Sequence, residues 1–217
     1  MIDALLLDLD GTLLDTAPDF ETALNNLLGE QQQPPLDSQS VKTMVSNGSA
    51  HLVAQAFNID ATHPRFDGLR NRLLELYANC LTDRTGFYPG MRECLHWCTT
   101  NGVAFGVVTN KPLRYAEQIM QQLEFDPGVL ICPDHVDQPK PDPQGILLAC
   151  SELQVRPAHS LYVGDHLRDV QAAKAAGCIS AAAAWGYLAP NENPLDWGAN
   201  YLLQQPTHLQ PLLESLK

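Results

Sequence analysis

The sequence has few basic residues and no long apolar run, and these two absences exclude several classes of protein. Its 217 residues contain 13 Lys and Arg against 25 Asp and Glu, a formal net charge of −12. A surface that holds a polyanion needs a cation for each phosphate it contacts, so we expect neither nucleic acid nor an anionic membrane as a partner. No stretch approaches the roughly 18 apolar residues that a membrane-spanning helix needs.

The chain also lacks paired cysteines and a secretory signal. Its six cysteines form no C-x-x-C pair and no zinc-type spacing with histidine, so we interpret them as reduced thiols of the core. The first residues show neither the basic segment nor the unbroken apolar segment of a signal peptide, which predicts a cytoplasmic protein. At 45% hydrophobic and 18% charged residues, the chain can bury a full core.

Short apolar runs alternate with amphipathic stretches of helical length. This alternation predicts an α/β fold, a doubly wound parallel sheet with helices on its faces. The predicted strands are Ala4–Leu9, Val103–Val108, Val129–Cys132, Ser160–Val163 and Ile179–Ala184. The predicted helices between them are Met91–Asn101, Leu113–Phe125, Pro143–Leu153 and Leu167–Ala176. We expect the tail from Trp185 to wrap the sheet edge.

One segment interrupts this alternation. Residues 18–84 contain three helix-like stretches, Asp19–Glu30, Ser38–Phe57 and Pro64–Thr82, and no convincing strand. We therefore predict a core domain of residues 1–17 and 85–217 with a small helical cap domain, residues 18–84, inserted after the first strand.

Two acidic residues end the first predicted strand. Asp8 and Asp10 lie at its carboxyl end, where open α/β sheets bind their ligands. Two carboxylates so close together repel each other unless a cation lies between them. An acidic turn built on Gly11 is the alternative, since Asp-Gly turns are common.

Three further strand ends carry polar groups, and each has a plain structural alternative. Thr109 and Asn110 offer phosphate-binding groups or a simple helix cap. Lys140 has prolines on both sides, which could stiffen the loop and fix the direction of its side chain toward a site; the alternative is a solvated lysine in an exposed turn. Asp165 and Asp169, one helical turn apart, form a second acid pair or serve the helix dipole. All the plain alternatives would have to hold at once, which is improbable.

These segments together carry a family resemblance. The strings DLDGTLLDT, VVTNKP, KPDP and VGDHLRD, with helices inserted after the first, resemble haloacid dehalogenase (HAD) superfamily phosphatases of the phosphoglycolate phosphatase type. The resemblance implies a Rossmann-like HAD core, a cap that closes over the site, and Mg²⁺. It implies Asp8 as nucleophile, Asp10 as general acid and base, Thr109, Asn110 and Lys140 as phosphate binders, Asp8, Asp10 (through its backbone carbonyl) and Asp165 as metal ligands, and Asp169 as support for that site.

The chemistry of these residue types agrees with the implied roles. Asp8 attacking a phosphate dianion faces like-charge repulsion, which Mg²⁺ and Lys140 would offset. Attack would give an aspartyl-phosphate and divide one difficult displacement into two easier ones. We expect acidic surroundings to keep Asp10 protonated for the first step, so that it protonates the leaving alkoxide and then accepts a proton from water.

The substrate is less sharply indicated. The turn-rich segment Ser46, Asn47 and Gly48 is the cap loop that we expect to face a small phosphorylated metabolite, although such clusters also mark plain turns. Strings such as ICPDHV and NPLDWGA resemble the branch that dephosphorylates N-acetylmuramic acid 6-phosphate in cell-wall recycling. We rank that substrate first and 2-phosphoglycolate second, ahead of sugar phosphates, phosphomutase activity and a catalytically silent sensor. Monomer and homodimer, and the role of His166, remain open.

Overall fold

The computed structural model describes residues 2–217, and the chain divides into two compact units. The core unit comprises the chain up to Leu14 and from Phe87 to Lys217, and the cap unit is Asp15–Gly86. These bounds lie within three residues of the predicted domain limits at 18 and 84. In the described part of the chain, no helix combines the length and apolar character needed to cross a membrane.

A six-stranded sheet forms the centre of the core unit. It contains β1 (Ala4–Leu7) at its centre, β4 (Ala104–Val108) and β5 (Val129–Ile131) on one side, and β6 (Ser160–Gly164), β7 (Ile179–Ala183) and β8 (Tyr201–Leu203) on the other. The strand order is thus β5-β4-β1-β6-β7-β8, and every neighbouring pair is parallel. The predicted α/β fold with a doubly wound parallel sheet is therefore confirmed.

The first strand lies at the point where the strand order reverses. All four residues of β1 are buried, and successive side chains of a strand face opposite sides, so both faces of the sheet are covered there. The chain runs from β1 outward to β4 and β5, then returns to β6 on the other side of β1. A reversal of this kind opens a crevice at the carboxyl ends of the strands, where ligands bind.

The helices of the core unit connect the strands and pack on the sheet. Helix α7 (Gln144–Glu152) packs against β4 and β5, and α8 (Leu167–Ala176) packs against β6 and β7. Helix α8 ends at Gly177, whose left-handed backbone (φ +77°) closes the last turn. The other core helices are α5 (Met91–Thr100), α6 (Leu113–Gln122) and α9 (Leu209–Leu216).

The tail contributes more to the sheet than we predicted. Residues Tyr201–Leu203 form β8, a sixth strand that pairs with β7 at the sheet edge. The sequence did not reveal it because a three-residue strand with an exposed first residue gives too short a pattern to detect. Helix α9 follows it and packs against α5.

The cap unit consists of helices that pack against one another. They are α1 (Ala17–Glu30), α2 (Ser38–Val45), α3 (Gly48–Phe57) and α4 (Phe66–Ala78). The prediction of one continuous helix over residues 38–57 is wrong, because Gly48 adopts a left-handed backbone (φ +78°) that an uninterrupted helix excludes. The predicted cap loop therefore joins two helices.

A buried carboxylate ties the two ends of the cap unit together. Asp19, near the start of α1, is 0% exposed. It accepts hydrogen bonds from the backbone N–H of Arg84 (2.9 Å) and from the backbone N–H (2.8 Å) and hydroxyl (2.6 Å) of Thr85. The chain leaves the core unit in β2 (Leu14–Asp15) and returns to it in β3 (Gly86–Phe87), and these two short strands pair with each other.

Candidate active site

The fold brings most of the predicted site residues to one edge of the sheet. Asp8 follows β1, Thr109 follows β4 and Asp165 follows β6, so each lies at the carboxyl end of a strand. Lys140 reaches the same place from the proline-rich loop beyond β5, and its Nζ lies 2.8 Å from Asp8 Oδ1. The parallel sheet is the reason that residues so far apart in sequence meet here.

Three carboxylates and one ammonium form the centre of this site. Three carboxylate oxygens lie within 4.8 Å of one another, one each from Asp8, Asp165 and Asp169. Lys140 Nζ contacts Asp169 Oδ1 at 2.7 Å as well as Asp8, and its side chain is 3% exposed. With all three carboxylates ionised, this group of four carries three negative charges and one positive charge, a deficit that one divalent cation would cancel.

Burial and neighbouring charges shift the pKa values of Asp8, Asp165 and Lys140. Burial raises the pKa of Asp8 to about 6, although Lys140 acts in the opposite direction. Burial, together with the charges of Asp8 and Asp169, raises the pKa of Asp165 well above its ordinary value. Burial alone would lower the pKa of Lys140, but Asp169 and Asp8 outweigh it and raise that pKa. Asp8 and Asp165 therefore need further positive charge to stay ionised together.

The three carboxylates differ in how the protein holds them. Asp165 accepts one hydrogen bond at each oxygen, from Thr12 Oγ1 (3.3 Å) and from the backbone N–H of Tyr187 (2.7 Å). Asp169 accepts from Lys140 Nζ and from the backbone N–H of His166 (3.0 Å). Asp8 Oδ1 has no aligned hydrogen bond from the described residues, and its contact with Lys140 is an ion pair only. Asp165 and Asp169 are anchored by hydrogen bonds, whereas this buried oxygen of Asp8 has only the ion pair with Lys140.

The side chains of Asp165 and Asp169 occupy space that is open only because the residues facing them are glycines. A Cβ added at Gly11 or Gly186 would overlap the side chain of Asp165, and one added at Gly164 would overlap Asp169. Gly11 also has a left-handed backbone (φ +80°), which side chains rarely adopt. The position of Asp165 therefore depends on the absence of side chains on two neighbouring segments.

We predict that Gly186→Ala displaces Asp165 and costs about 1–3 kcal/mol of unfolding free energy, because the added methyl group needs space that the carboxylate fills. Denaturant unfolding without divalent cations measures this loss. Gly29→Ala in α1 is the matched control, since a Cβ there meets nothing within 4 Å and should be neutral or slightly stabilising. Equal stability of the two variants would contradict the proposal that the absence of a side chain at Gly186 makes room for Asp165.

The loop after β4 binds the Lys140 loop. The Asn110 amide donates to the backbone carbonyl of Lys140 (2.9 Å) and accepts from its backbone N–H (3.0 Å). Thr109 Oγ1 accepts from the backbone N–H of Lys111 (3.1 Å) and retains its own proton for donation. Asn110 thus positions Lys140 through its side chain, a role that the sequence did not reveal. Phosphate binding by Thr109 and Asn110 remains a prediction.

Lys111 is a site residue that we did not predict. Its Nζ lies 2.9 Å from Asp10 Oδ1, and the two side chains are 3% and 19% exposed. Asp10 therefore has a cation beside it, in addition to the acidic surroundings that we expected. Lys111 follows Asn110 in the motif itself, but only the fold shows that its ammonium group turns back toward β1.

His166, whose role was open, caps helix α8. Its Nδ1 accepts from the backbone N–H of Arg168 (3.2 Å), and the Arg168 guanidinium lies 2.8 Å from its Nε2. Burial and the adjacent Arg168 charge lower the pKa of His166. The lowered pKa favours the neutral ring, whose Nδ1 can accept the Arg168 N–H and order the start of the helix that carries Asp169.

Comparison with known proteins agrees with this arrangement. The model of the haloacid dehalogenase-like hydrolase family matches residues 5–183, which include every strand-end motif described above. The chain belongs to this family. The resemblance predicted from the four motifs is thereby confirmed.

Two relatives of this HAD chain match almost its whole length. It is 41% identical over 215 residues to the N-acetylmuramic acid 6-phosphate phosphatase of Pseudomonas aeruginosa, covering 98% of this chain and 95% of the relative. It is 37% identical over 209 residues to a phosphoglycolate phosphatase of Xanthomonas campestris, covering 95% and 94%. The crystal structure of a predicted phosphoglycolate phosphatase from Haemophilus somnus, at 23% identity, superposes with a TM-score of 0.85 over 98% of each chain and supports the fold.

Proposed function

We propose that this protein is a phosphomonoesterase that forms an aspartyl-phosphate on Asp8. The observation that carries the proposal is the environment of Asp8, whose Oδ1 has no aligned hydrogen bond while a buried lysine lies 2.8 Å away. A carboxylate committed to hydrogen bonds is a poor nucleophile, and an adjacent ammonium offsets the repulsion of an incoming phosphate dianion. Names of relatives that match nearly the full chain support the same reaction class.

The residues of the site fit a divalent cation. The donor set consists of hard carboxylate oxygens, and the group of three carboxylates with Lys140 lacks two positive charges. Asp8 and Asp165 would hold the ion, with the backbone carbonyl of Asp10 as a further ligand, while Asp169 orients Lys140. The family resemblance favours Mg²⁺, which when bound would neutralise charge on the transferring phosphoryl group.

The protein residues divide the reaction between them. Asp8 Oδ attacks phosphorus as the bond to the leaving oxygen breaks, and Asp10 gives that oxygen a proton. Asp10 then takes a proton from the water that hydrolyses the aspartyl-phosphate, so the enzyme returns to its starting state. Lys111 holds the Asp10 carboxyl group in place in both protonation states, as the acid of the first step and as the carboxylate of the second. Thr109 and Lys140 bind the phosphoryl oxygens in both steps.

For the substrate we propose N-acetylmuramic acid 6-phosphate. Support comes from the identity of 41% to a phosphatase named for that compound, against 37% to one named for phosphoglycolate. The difference is small, so 2-phosphoglycolate is the second candidate. Both molecules carry a carboxylate besides the phosphate, and a protein of net charge −12 needs a specific cation to accept it. A cytoplasmic location, predicted from the sequence, accords with either metabolite.

Within the cap unit, one arginine is suited to bind a carboxylate. Arg65 and Arg72 are engaged, Arg65 with Gln31 (2.7 Å) and Arg72 with Glu30 (2.6 Å). Arg70 donates its Nε to Ser49 (3.2 Å), and its terminal amino groups have no partner among the described residues. Ser49 directly follows the predicted cap loop, residues 46–48. We propose that Arg70 binds the substrate carboxylate with these terminal groups.

The test compares kcat/KM for N-acetylmuramic acid 6-phosphate, 2-phosphoglycolate and N-acetylglucosamine 6-phosphate, which lacks the lactyl carboxylate. We expect the first to lead. Arg70→Met should lower kcat/KM about tenfold for the two carboxylate-bearing substrates, and at most twofold for the third, because only they lose a charged hydrogen bond.

Arg72→Met is the matched control, because Arg72 pairs with Glu30 and Glu75 and should leave the order of substrates unchanged. A lead of tenfold or more for 2-phosphoglycolate, about 1.4 kcal/mol in transition-state binding, would reverse the proposed ranking. An equal loss for all three substrates would remove Arg70 as the carboxylate-binding residue. Turnover of none of them would contradict the proposed phosphatase.

A further inference from the structure

We propose that Tyr162 is a positioning residue, whose hydroxyl holds Lys140 against Asp8. The inference rests on the proposed function, since Lys140 matters only if Asp8 meets phosphate. Tyr162 lies on β6 and is 1% exposed, so sequence and burial alone would assign it to the hydrophobic core. Its ring does pack there, among residues such as Leu6 and Ile146. The hydroxyl at the end of the ring lies in a different environment.

Tyr162 completes the set of acceptors around Lys140. The ammonium group has three N–H donors, and three oxygens lie within reach of Nζ: Asp169 Oδ1 (2.7 Å), Tyr162 Oη (2.8 Å) and Asp8 Oδ1 (2.8 Å). Two donors thus have aligned acceptors, Asp169 and Tyr162, and the third N–H lies on the side of the Asp8 ion pair. Because the Lys140 side chain is 3% exposed, water can replace a lost acceptor only poorly.

The single hydroxyl proton of Tyr162 determines which neighbour its oxygen donates to and which it accepts from. Its oxygen lies 2.8 Å from the backbone carbonyl of Val108 and 3.4 Å from Asp169 Oδ1, so the single proton goes to Val108. The lone pairs of the oxygen then remain for Lys140. Val108 directly precedes Thr109, so this one hydroxyl joins the end of β4 to the lysine.

The contacts of Lys140 also indicate what happens when the hydroxyl is lost. Its contact with Asp169 is an aligned hydrogen bond, whereas its contact with Asp8 is an ion pair without that alignment. Without Tyr162 Oη, the ammonium keeps only one aligned acceptor, Asp169. We therefore expect it to move toward Asp169 and away from Asp8. Asp8 then loses the neighbouring charge that assists attack.

The experiment is Tyr162→Phe, which keeps the buried ring and removes only the hydroxyl. We expect kcat to fall about tenfold to hundredfold, with KM changed less than threefold, because a buried charged donor loses its acceptor. Tyr77→Phe is the matched control, a fully buried tyrosine stacked on Phe20 in the cap unit, and should leave kcat unchanged. Circular dichroism and thermal unfolding of both variants establish that assays are run on folded protein.

A double-mutant cycle separates positioning from a general structural role. In a Lys140→Met background, Tyr162→Phe should change kcat less than twofold, since the group it positions is gone. If turnover of Lys140→Met is too slow to measure, Lys140→Arg replaces it, and a reduced effect of Tyr162→Phe is again expected. An equal loss in both backgrounds, or a single variant within twofold of wild type, would overturn the inference. Inactive wild-type protein would instead refute the proposed function.

Discussion

Replacing Asp8 by Asn should lower phosphatase turnover by about a thousandfold or more, because an amide cannot form the acyl-phosphate that an attacking carboxylate forms. The side chain keeps its size, and Lys140 keeps its contacts with Asp169 and Tyr162. Phosphate release measured over hours, with intact-mass detection of a phosphorylated species in the wild type only, checks the prediction. Turnover of Asp8→Asn within tenfold of wild type would remove Asp8 as the nucleophile.

The same variant should be more stable than the wild type without divalent cations. Asp8 is one of three carboxylates within 4.8 Å of one another, and the single ammonium of Lys140 contacts only Asp8 and Asp169, so neutralising Asp8 relieves repulsion in the folded state. Thermal unfolding in the presence of a chelator should show a higher Tm for Asp8→Asn. Asp196→Asn, an exposed acid of the core unit, is the matched control and should change neither turnover nor Tm.

Removing divalent cations should abolish turnover, and restoring Mg²⁺ should recover it. The reason is the charge deficit of the carboxylate group, which no described cation other than Lys140 relieves directly. The bound ion should also stabilise the fold, by about 2.7 kcal/mol at a concentration 100 times its Kd. A Mg²⁺ titration followed by thermal unfolding, beside assays with and without chelator, measures both effects.

Asp165→Asn identifies the origin of that stabilisation. It should weaken Mg²⁺ binding at least tenfold while retaining the hydrogen bonds from Thr12 and Tyr187, whose donors an amide oxygen can partly accept. Asp196→Asn again serves as control and should show the wild-type shift of Tm. Full turnover by chelator-treated protein, or a wild-type shift in Asp165→Asn, would show that the cation acts elsewhere.

The sheet was largely predictable because its strands are short and buried on both faces. Ala4–Leu7 is an example: its four residues are all apolar and acidic residues follow it, so composition alone predicts a short buried strand. The edge strand Tyr201–Leu203 lacks that burial and was missed. The break between α2 and α3 was visible as a turn-rich segment, but the left-handed backbone of Gly48, the first residue of α3, was not.

The site divides along a similar line. Asp8 and Asp165 were predictable because each directly follows an apolar strand, at the sheet edge where α/β folds bind ligands, and Lys140 because prolines on both sides stiffen its loop. Lys111 was missed because the direction of a long side chain depends on the fold. Tyr162 was missed because it occupies a core position within a strand, and only its terminal atom reaches the lysine. Sequence thus indicates which residues reach the site from strand ends, and less well which ones support them.

The hydrogen bonds between Asp19 and Thr85 bear on how this core tolerates its large insertion. They close the inserted segment at its base, so the core chain passes into and out of it at neighbouring points. The entropy cost of such a loop grows only logarithmically, by about 0.6 kcal/mol for each doubling of its length. A cap of different length or shape could therefore replace this one with little cost to β1 and the catalytic strand ends. The residues proposed for phosphoryl transfer all lie in the core unit, so such a replacement would leave their sequence unchanged.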